Sequence, residues 1–168
     1  MSENDTIINS EQELEHIELD SLEAIKKSVG KLMSVDFGDT RTGLAVCDAS
    51  RFLASGIGYV SPGGIDKTVE AVVAAAKENR VAAVIVGLPV NMDGSEGGRA
   101  ARCRKFARMV KEQSGLPVAM FDERMTTMTA SRYLNDTNTR GKKRKGVIDT
   151  LSAQIILQNC LDRLKYMN

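Results

Sequence analysis

"LMSVDFGDTRTGLAVCD", residues 32–48, is typical of two strands, LMSVDFG and GLAVCD, joined by the short loop DTRT. The first strand is expected to be buried, yet it contains Asp36 where an apolar residue would be usual. An unpaired charge in a protein interior costs several kcal/mol, roughly. Either a cation lies beside Asp36, or the strand assignment is wrong.

The chain beyond this pair alternates between strand and helix patterns. In order, the patterns predict a strand at 51–60, a helix at 66–79, a strand at 81–90, a helix at 98–114, a strand at 117–124, a short helix at 126–134, a mobile basic segment at 135–146 and a last helix at 147–165. Three consecutive strands favour antiparallel pairing, and strand–helix–strand units favour parallel pairing. The predicted fold is therefore α/β, a mixed five-stranded sheet with helices on both faces.

Charge divides the chain into two parts. Residues 1–27 hold 8 acidic residues and 2 lysines, a balance of −6, and the remainder holds 21 basic and 14 acidic residues, a balance of +7. We treat 1–30 as an acidic extension, with 1–19 expected to be disordered and a short helix capped by Asp20 and Ser21, and 31–168 as one domain. A basic domain favours an anionic partner such as nucleic acid, although +7 also fits a need for solubility alone.

Several classes of protein are excluded or disfavoured. The only histidine is His16, in the extension, so the domain has no base for a Ser-His-Asp or Cys-His nucleophile, and no P-loop motif occurs. No apolar run approaches the roughly 20 residues of a membrane span. The terminus lacks a signal peptide, and Cys47, Cys103 and Cys160 are interpreted as reduced core residues of a cytoplasmic protein.

Carboxylates are the remaining candidates for chemistry. Asp149 shares one helical face with positions 153, 156, 160 and 164, which are apolar, so it should point toward the sheet. Only one of Asp122 and Glu123 can share a face with Asp36. Three inward acids are compatible with Mg²⁺ or Mn²⁺, which bind oxygen ligands and could support phosphodiester hydrolysis. The alternative is that these residues are turn acids and ordinary salt bridges.

Four blocks together resemble one family. They are Asp36-x-Gly38-x-x-Arg41-x-Gly43, VGLPVNMDGSEG at 86–97, DERMTT at 122–127 and KRKGVIDTLSA at 143–153. In this order they resemble the YqgF (RuvX) family, over about residues 32–165. The resemblance implies an RNase H-like nuclease domain that hydrolyses phosphodiesters in RNA or DNA, with Asp36, Glu123 and Asp149 as catalytic, metal-binding residues.

The sequence departs from the related RuvC-type resolvases in one respect. Those enzymes carry an acid on the fourth strand, and the strand at 81–90 has none. The second carboxylate must come from the next strand or from a nearby loop, so Asp122 and Asp93 remain alternatives to Glu123.

Other residues are candidates for contacts with nucleic acid. Arg41 could clamp a phosphate, Gly38 could allow its close approach, and Asn91 and Asp93 could shape a groove. Arg99, Arg102 and the run Lys142, Lys143, Arg144 and Lys145 could form a basic track. The alternative for each of them is a turn residue or a solvated surface charge.

The expected partner is structured RNA, with ribosomal precursor particles as a candidate, since the resemblance favours processing of the 5′ end of pre-16S rRNA. A four-way DNA junction and an RNA-binding assembly factor without catalysis are the alternatives. The sequence leaves a monomer and a homodimer both open. Aromatic residues are scarce, which disfavours base stacking, and we assign Tyr59 and Phe121 to the core.

Overall fold

The computed structural model describes residues 11–125 and 142–168, apart from the side chains of 142–149. The predicted helix at 126–134 and most of the predicted basic segment lie outside the described residues. The elements are α1 (11–15), α2 (Leu22–Lys27), β1 (Leu32–Asp36), β2 (Thr42–Cys47), β3 (Ala54–Val60), α3 (Ile65–Glu78), β4 (Ala83–Leu88), α4 (Gly98–Ser114), β5 (Val118–Asp122) and α5 (Lys142–Tyr166).

The five strands form one mixed sheet in the order β3-β2-β1-β4-β5. β1 pairs antiparallel with β2, and β2 pairs antiparallel with β3, whereas β1–β4 and β4–β5 are parallel pairs. This confirms the predicted α/β fold with an antiparallel meander followed by parallel strands. The carboxyl ends of β1, β4 and β5 meet at one edge of the sheet, where the candidate acids follow.

Each face of the sheet has its own apolar core. On one face, Val35, Val86 and Val118 pack with α3 and α4 through residues such as Val72 and Phe106. On the opposite face, the strands pack with α5 through a second cluster that contains Leu32, Ile85, Ala119, Phe121, Ala153, Ile156, Leu157 and Cys160. Because successive strand residues face opposite ways, each strand contributes to both cores. The helices therefore cover both faces, as predicted.

One boundary and one side chain differ from expectation. α5 begins at Lys142, five residues before the predicted start, because lysine and arginine are good helix formers and 142–146 continue the helix instead of a mobile loop. Phe121 is buried as expected, but Tyr59 is 47% exposed. β3 lies at an edge of the sheet, so its side chains have fewer neighbours than those of a central strand.

The described part of the acidic extension is packed on the domain, which corrects the expectation of disorder for 11–19. Leu14 and Leu19 pack against the core cluster of α3 and α4. Asp20 ties the segment to β5, since its backbone N–H donates to the Val118 carbonyl (2.8 Å) and its carboxylate accepts from the Val118 N–H (2.8 Å). The same carboxylate accepts from Lys111 Nζ at 2.8 Å. The Ser21 side chain caps α2, as predicted.

Within residues 11–125 and 142–168, no helix is both long enough and apolar enough to cross a membrane.

Replacing Asp20 with alanine should destabilise the fold. The change leaves the half-buried Val118 N–H without its acceptor and removes the carboxylate that pairs with the Lys111 ammonium, so we expect a loss of about 1–3 kcal/mol in the free energy of unfolding. Urea unfolding measures this loss. Glu18→Ala is the matched control. Lys111 of α4 donates to the backbone carbonyl of Glu18, so this hydrogen bond does not depend on the Glu18 side chain. Equal stability of the two variants would contradict the prediction.

Candidate active site at the carboxyl ends of the strands

Asp36 is the last residue of β1 and is half-buried. It pairs with Gly43 of β2. On the other side, Val35 pairs with Val86 of β4, and extending this parallel register by one residue places Asp36 level with Gly87. The predicted strand is confirmed. The expectation that Asp36 is fully buried is wrong, because Asp36 lies at the open end of that strand. This position removes much of the desolvation cost that a central position would carry.

Asp36 faces the α5 side of the sheet. Leu32 has the same strand parity and packs in the α5 cluster, and the Ser34 hydroxyl donates to the Ala153 carbonyl of α5 at 2.6 Å. The next residue, Phe37, points to the opposite face and stacks on Phe106 of α4, with ring centroids 4.3 Å apart. The stacking anchors the end of β1, so the orientation of the Asp36 side chain is determined by the residues on either side of it.

Glu123 lies directly after β5 and continues its pattern. Its N–H donates to the Leu88 carbonyl of β4 at 3.1 Å, which prolongs the ladder by one residue. Ala119 and Phe121, with the same parity, belong to the α5 cluster, whereas Val118 and Met120 pack on the other face. Glu123 therefore projects to the same face as Asp36, and Asp122 does not.

A cavity of about 350 Å³ contains both carboxylates. Its lining includes Asp36, Glu123 and Arg99 from the strand ends and α4, and Ser152, Ile156 and Asn159 from α5. Arg99, a cation, lines the same cavity as Asp36 and acts on Glu123. A larger cavity, about 740 Å³, lies at the other end of α5 and is lined by Phe52, Leu53 and Leu161, among others, and of its described lining residues only Asp162 carries a carboxylate.

The two carboxylates perturb each other. Burial of the Glu123 carboxylate, followed by repulsion from Asp36, raises the pKa of Glu123 above its usual value, and Arg99 partly offsets this. Although the residue as a whole is exposed, its carboxylate is packed inward against Gly87 and Ile156. Such a pair is more favourable when a cation neutralises it.

The cysteines take no part in this chemistry. Cys47, Cys103 and Cys160 are free and buried, in agreement with the prediction of core residues. Burial, followed by the charge of Glu123, raises the pKa of the Cys103 thiol to about 11, and burial raises that of Cys160 to about 12. Both thiols are therefore uncharged near neutral pH and are poor nucleophiles.

The alternative second ligands, Asp122 and Asp93, have other partners. Asp122 forms an ion pair with Arg124 (2.8 Å), which lowers the pKa of its carboxyl group, and Arg124 also donates to the Asn91 carbonyl at 3.3 Å. Asp93 accepts from the Ser95 N–H (2.9 Å) and hydroxyl (2.6 Å), and these bonds lower its pKa. The geometry thus brings Glu123, and neither alternative, to Asp36.

The structure gives the position of Asp149 on α5 but not the placement of its side chain. The residues that share its predicted face, Ala153, Ile156, Cys160 and Leu164, are buried in the α5 cluster, as expected. Its side chain is outside the described residues, as are those of Lys142, Lys143, Arg144 and Lys145, so their predicted roles stay predictions. Among the side chains that are described, no three acidic, histidine or cysteine residues form a metal-binding group.

The predicted polar and glycine residues around the site have identifiable local contacts. Gly38 permits the turn after β1, because a Cβ there would lie 2.3 Å from the Arg41 carbonyl oxygen. Arg41 is half-buried beyond that turn. The Asn91 side chain donates to the Ser95 hydroxyl at 3.0 Å and so stabilises the loop after β4. Gly38 and Asn91 therefore have structural roles that need no ligand.

Several cations of α4 are neutralised within the chain. Arg102 pairs with Asp39 (3.3 Å) and lies over the Phe37 ring, Arg104 pairs with Glu96 (2.7 Å), and Lys105 pairs with Glu11 of the extension (3.3 Å). Sequence reasoning missed these pairs because their partners are distant in the chain or on loops. Of the α4 residues predicted to bind nucleic acid, Arg99 alone lines the cavity with the two acids.

The donor set of the cavity suits a hard divalent cation. Asp36 and Glu123 offer carboxylate oxygens, the ligands that Mg²⁺ and Mn²⁺ prefer, and their mutual repulsion favours a bound cation. No thiolate or imidazole ligand is offered in this cavity by the described residues.

Comparison with known proteins places the chain in a family. A family model for RuvX, described as a Holliday junction resolvase, matches residues 30–163. The chain belongs to the RuvX family. The matched range begins at the end of the acidic extension, and the domain boundary at residue 30 stays a prediction.

Named relatives support this assignment. A protein of Rhodopirellula baltica named "Putative pre-16S rRNA nuclease" is 38% identical over 139 residues, which cover 83% of this chain and 80% of that protein. A protein of the same name from Clostridioides difficile is 39% identical over 133 residues, covering 79% and 94%. RuvC of T. thermophilus, solved with a Holliday junction substrate, covers 83% of this chain and 98% of its own with a TM-score of 0.54 and 15% identity. The last similarity confirms the RuvC-like, RNase H-like fold.

The titration of Glu123 should depend on its two charged neighbours. Without divalent cations, we expect Asp36→Asn to lower the pKa of Glu123, because the repulsion is removed, and Arg99→Ala to raise it. Carbon-13 NMR of the side-chain carboxyl groups measures both shifts, with Asp122 as an internal control that should titrate below its ordinary value. An unchanged Glu123 titration in Asp36→Asn would show that the two groups do not interact.

The same shift has a consequence for stability. With its pKa raised, Glu123 in the folded chain keeps a proton that the unfolded chain has released, so its contribution to the free energy of unfolding falls as pH rises from the unfolded to the folded pKa. Asp36→Asn should make this decrease smaller.

Proposed function

We propose that the chain is a metal-dependent nuclease that hydrolyses phosphodiester bonds in structured nucleic acid, and that its substrate is the 5′ region of precursor 16S rRNA. The observation that carries the proposal is that Asp36 and Glu123 line one cavity on the same face of the sheet. The rRNA substrate is supported by the names of relatives that are 38–39% identical over most of the chain.

The proposed ligands of Mg²⁺ or Mn²⁺ are Asp36, Glu123 and Asp149. When bound, such an ion supplies polarisation of the phosphodiester and activation of a water molecule. The chain's own groups then have separate tasks. The carboxylates of Asp36 and Glu123 bind the cation in their ionised form, which a neighbouring positive charge favours.

The remaining wall of the cavity supports binding of the substrate. Arg99, which shares the cavity with the two acids, is placed to bind a phosphate oxygen with its guanidinium group. Phe121 and Ile156 form an apolar wall beside the carboxylates and limit the access of water. Arg41, Arg102 and the cations at 142–145 are proposed to bind the nucleic-acid backbone further from the cavity, with Arg102 exchanging its pair with Asp39.

Replacing either acid of the pair should abolish cleavage. We expect Asp36→Asn and Glu123→Gln to reduce the rate at least about 100-fold, more than the loss typical of a residue that only supports a ligand. Asp122→Asn is the matched control, because it alters the neighbouring carboxylate on the opposite face and should retain cleavage. The measurement is gel analysis of labelled substrates with Mn²⁺ or with EDTA.

Two substrates in this experiment separate the candidate functions. One is an RNA that spans the 5′ end of mature 16S rRNA, and the other is a four-way DNA junction. Metal-dependent cleavage of the RNA supports the proposal, and paired cuts in the junction alone would favour a resolvase, as the description of the family model suggests. Binding of RNA that is equal in wild type and Asp36→Asn, with no cleavage in either, would indicate an assembly factor and contradict the nuclease.

The basic start of α5 should contribute to binding through charge alone. For Lys142→Ala/Lys143→Ala, we expect the slope of log affinity against log salt concentration on a duplex ligand to fall in magnitude by roughly 2, about 0.9 for each lost phosphate contact. Fluorescence anisotropy over a range of salt concentrations measures the slope. Lys67→Ala/Lys77→Ala removes two exposed charges from α3 and should leave the slope unchanged. The same slope in both double variants would argue against a role for Lys142 and Lys143.

A further inference from the structure

We propose that Gly87 is a positioning residue for Glu123. Because residue 87 has no side chain, the carboxylate of Glu123 can lie over β4 and face Asp36. The inference rests on the proposed function, since it assumes that the two carboxylates share a divalent cation. It concerns a strand that itself contributes no acid to the cavity.

Strand register places Gly87 between the two acids. It pairs with Phe121 of β5, and the β1–β4 register places it level with Asp36. Neighbouring strands lie about 4.8 Å apart, so β1 and β5 are separated by roughly 10 Å across β4. A carboxylate that follows β5 must therefore extend over β4 to approach Asp36, and glutamate is long enough to do so.

The space above Gly87 is filled by the carboxylate. A Cβ at residue 87 would lie 2.7 Å from Oε1 and 3.4 Å from Cδ of Glu123, and 2.7 Å from Cδ1 of Ile156. Contacts under 3.0 Å are essentially never made by real Cβ atoms, so any larger residue here must displace the Glu123 carboxylate, the Ile156 side chain or both.

Backbone conformation does not account for this glycine. Gly87 does not have the positive φ that favours glycine, unlike Gly94 in the following loop. The other β4 residues, Ala83, Val84, Ile85, Val86 and Leu88, are apolar and buried, and a glycine in a strand interior usually weakens it. Close approach by another group is the usual reason for such a glycine, and the group found here is the carboxylate of Glu123, a candidate metal ligand.

The affinity for Mn²⁺ tests this inference. Free Mn²⁺ is measured by electron paramagnetic resonance in titrations of wild type, Gly87→Ala, Glu123→Gln and the double variant Gly87→Ala/Glu123→Gln. We expect Gly87→Ala to weaken binding about 10- to 100-fold, as for loss of a residue that supports a ligand. The double variant should bind no more weakly than Glu123→Gln, because the glycine acts through that carboxylate.

A second pair of variants separates positioning from packing. Ile156→Val removes Cδ1, so Gly87→Ala/Ile156→Val retains only the conflict with Glu123. If this double variant is more stable to urea in EDTA than Gly87→Ala but binds Mn²⁺ no better, the proposal is supported. If it regains both stability and Mn²⁺ affinity, the proposal is overturned. Gly98→Ala is the control for the substitution itself, since no heavy atom lies within 4 Å of a Cβ there.

The outcomes also separate this inference from the proposed function. If Glu123→Gln weakens Mn²⁺ binding and Gly87→Ala does not, or if their effects add fully, the role of Gly87 is wrong and the metal site stands. If Glu123→Gln binds Mn²⁺ as tightly as wild type, the proposed ligand set is wrong and the role of Gly87 is overturned with it.

Discussion

The repulsion between the carboxylates of Asp36 and Glu123 is the constraint on which this end of the molecule depends. Burial contributes most to the raised pKa of Glu123, and the repulsion from Asp36 adds to that cost. The fold offsets the cost in two ways. Both acids lie at the open ends of strands, and Arg99 lies in the same cavity. A site of this kind is prepared for a cation and is less stable without one.

Each of the two strand ends combines a residue directed to the cavity with a neighbour that anchors the backbone. At the end of β1, Asp36 faces the cavity and Phe37 stacks on Phe106 on the other face. After β5, Glu123 faces the cavity and Asp122 holds Arg124, which in turn binds the loop after β4. Because side chains alternate between the two faces of a strand, one of two adjacent residues faces the cavity and the other anchors the backbone. It also explains why two adjacent acids, Asp122 and Glu123, have opposite pKa shifts.

Much of this arrangement could be predicted from local patterns, and the remainder depended on contacts between distant segments. The order of strands and helices, the inward stripe of α5 and the free, buried cysteines follow from periodicity and composition, which are local properties. The rule that one of Asp122 and Glu123 shares a face with Asp36 also came from strand parity. The packing of residues 11–19, the pairs of Arg102 and Lys105 with acids far along the chain, and the exposure of Tyr59 depend on which elements become neighbours. Periodicity carries no information about those contacts.

The attachment of Asp20 to Val118 has a consequence for how copies of this chain can meet. β5 is one outer strand of the sheet, and Asp20 takes up both the N–H and the carbonyl of its first residue. An open outer strand is a template for pairing with another chain, which leads to aggregation or strand exchange. The acidic segment therefore occupies the start of one such edge, and its negative charge repels a second copy of itself. At the opposite edge, β3 exposes Ile57 and Tyr59, so any association by strand pairing would be directed to that side of the sheet.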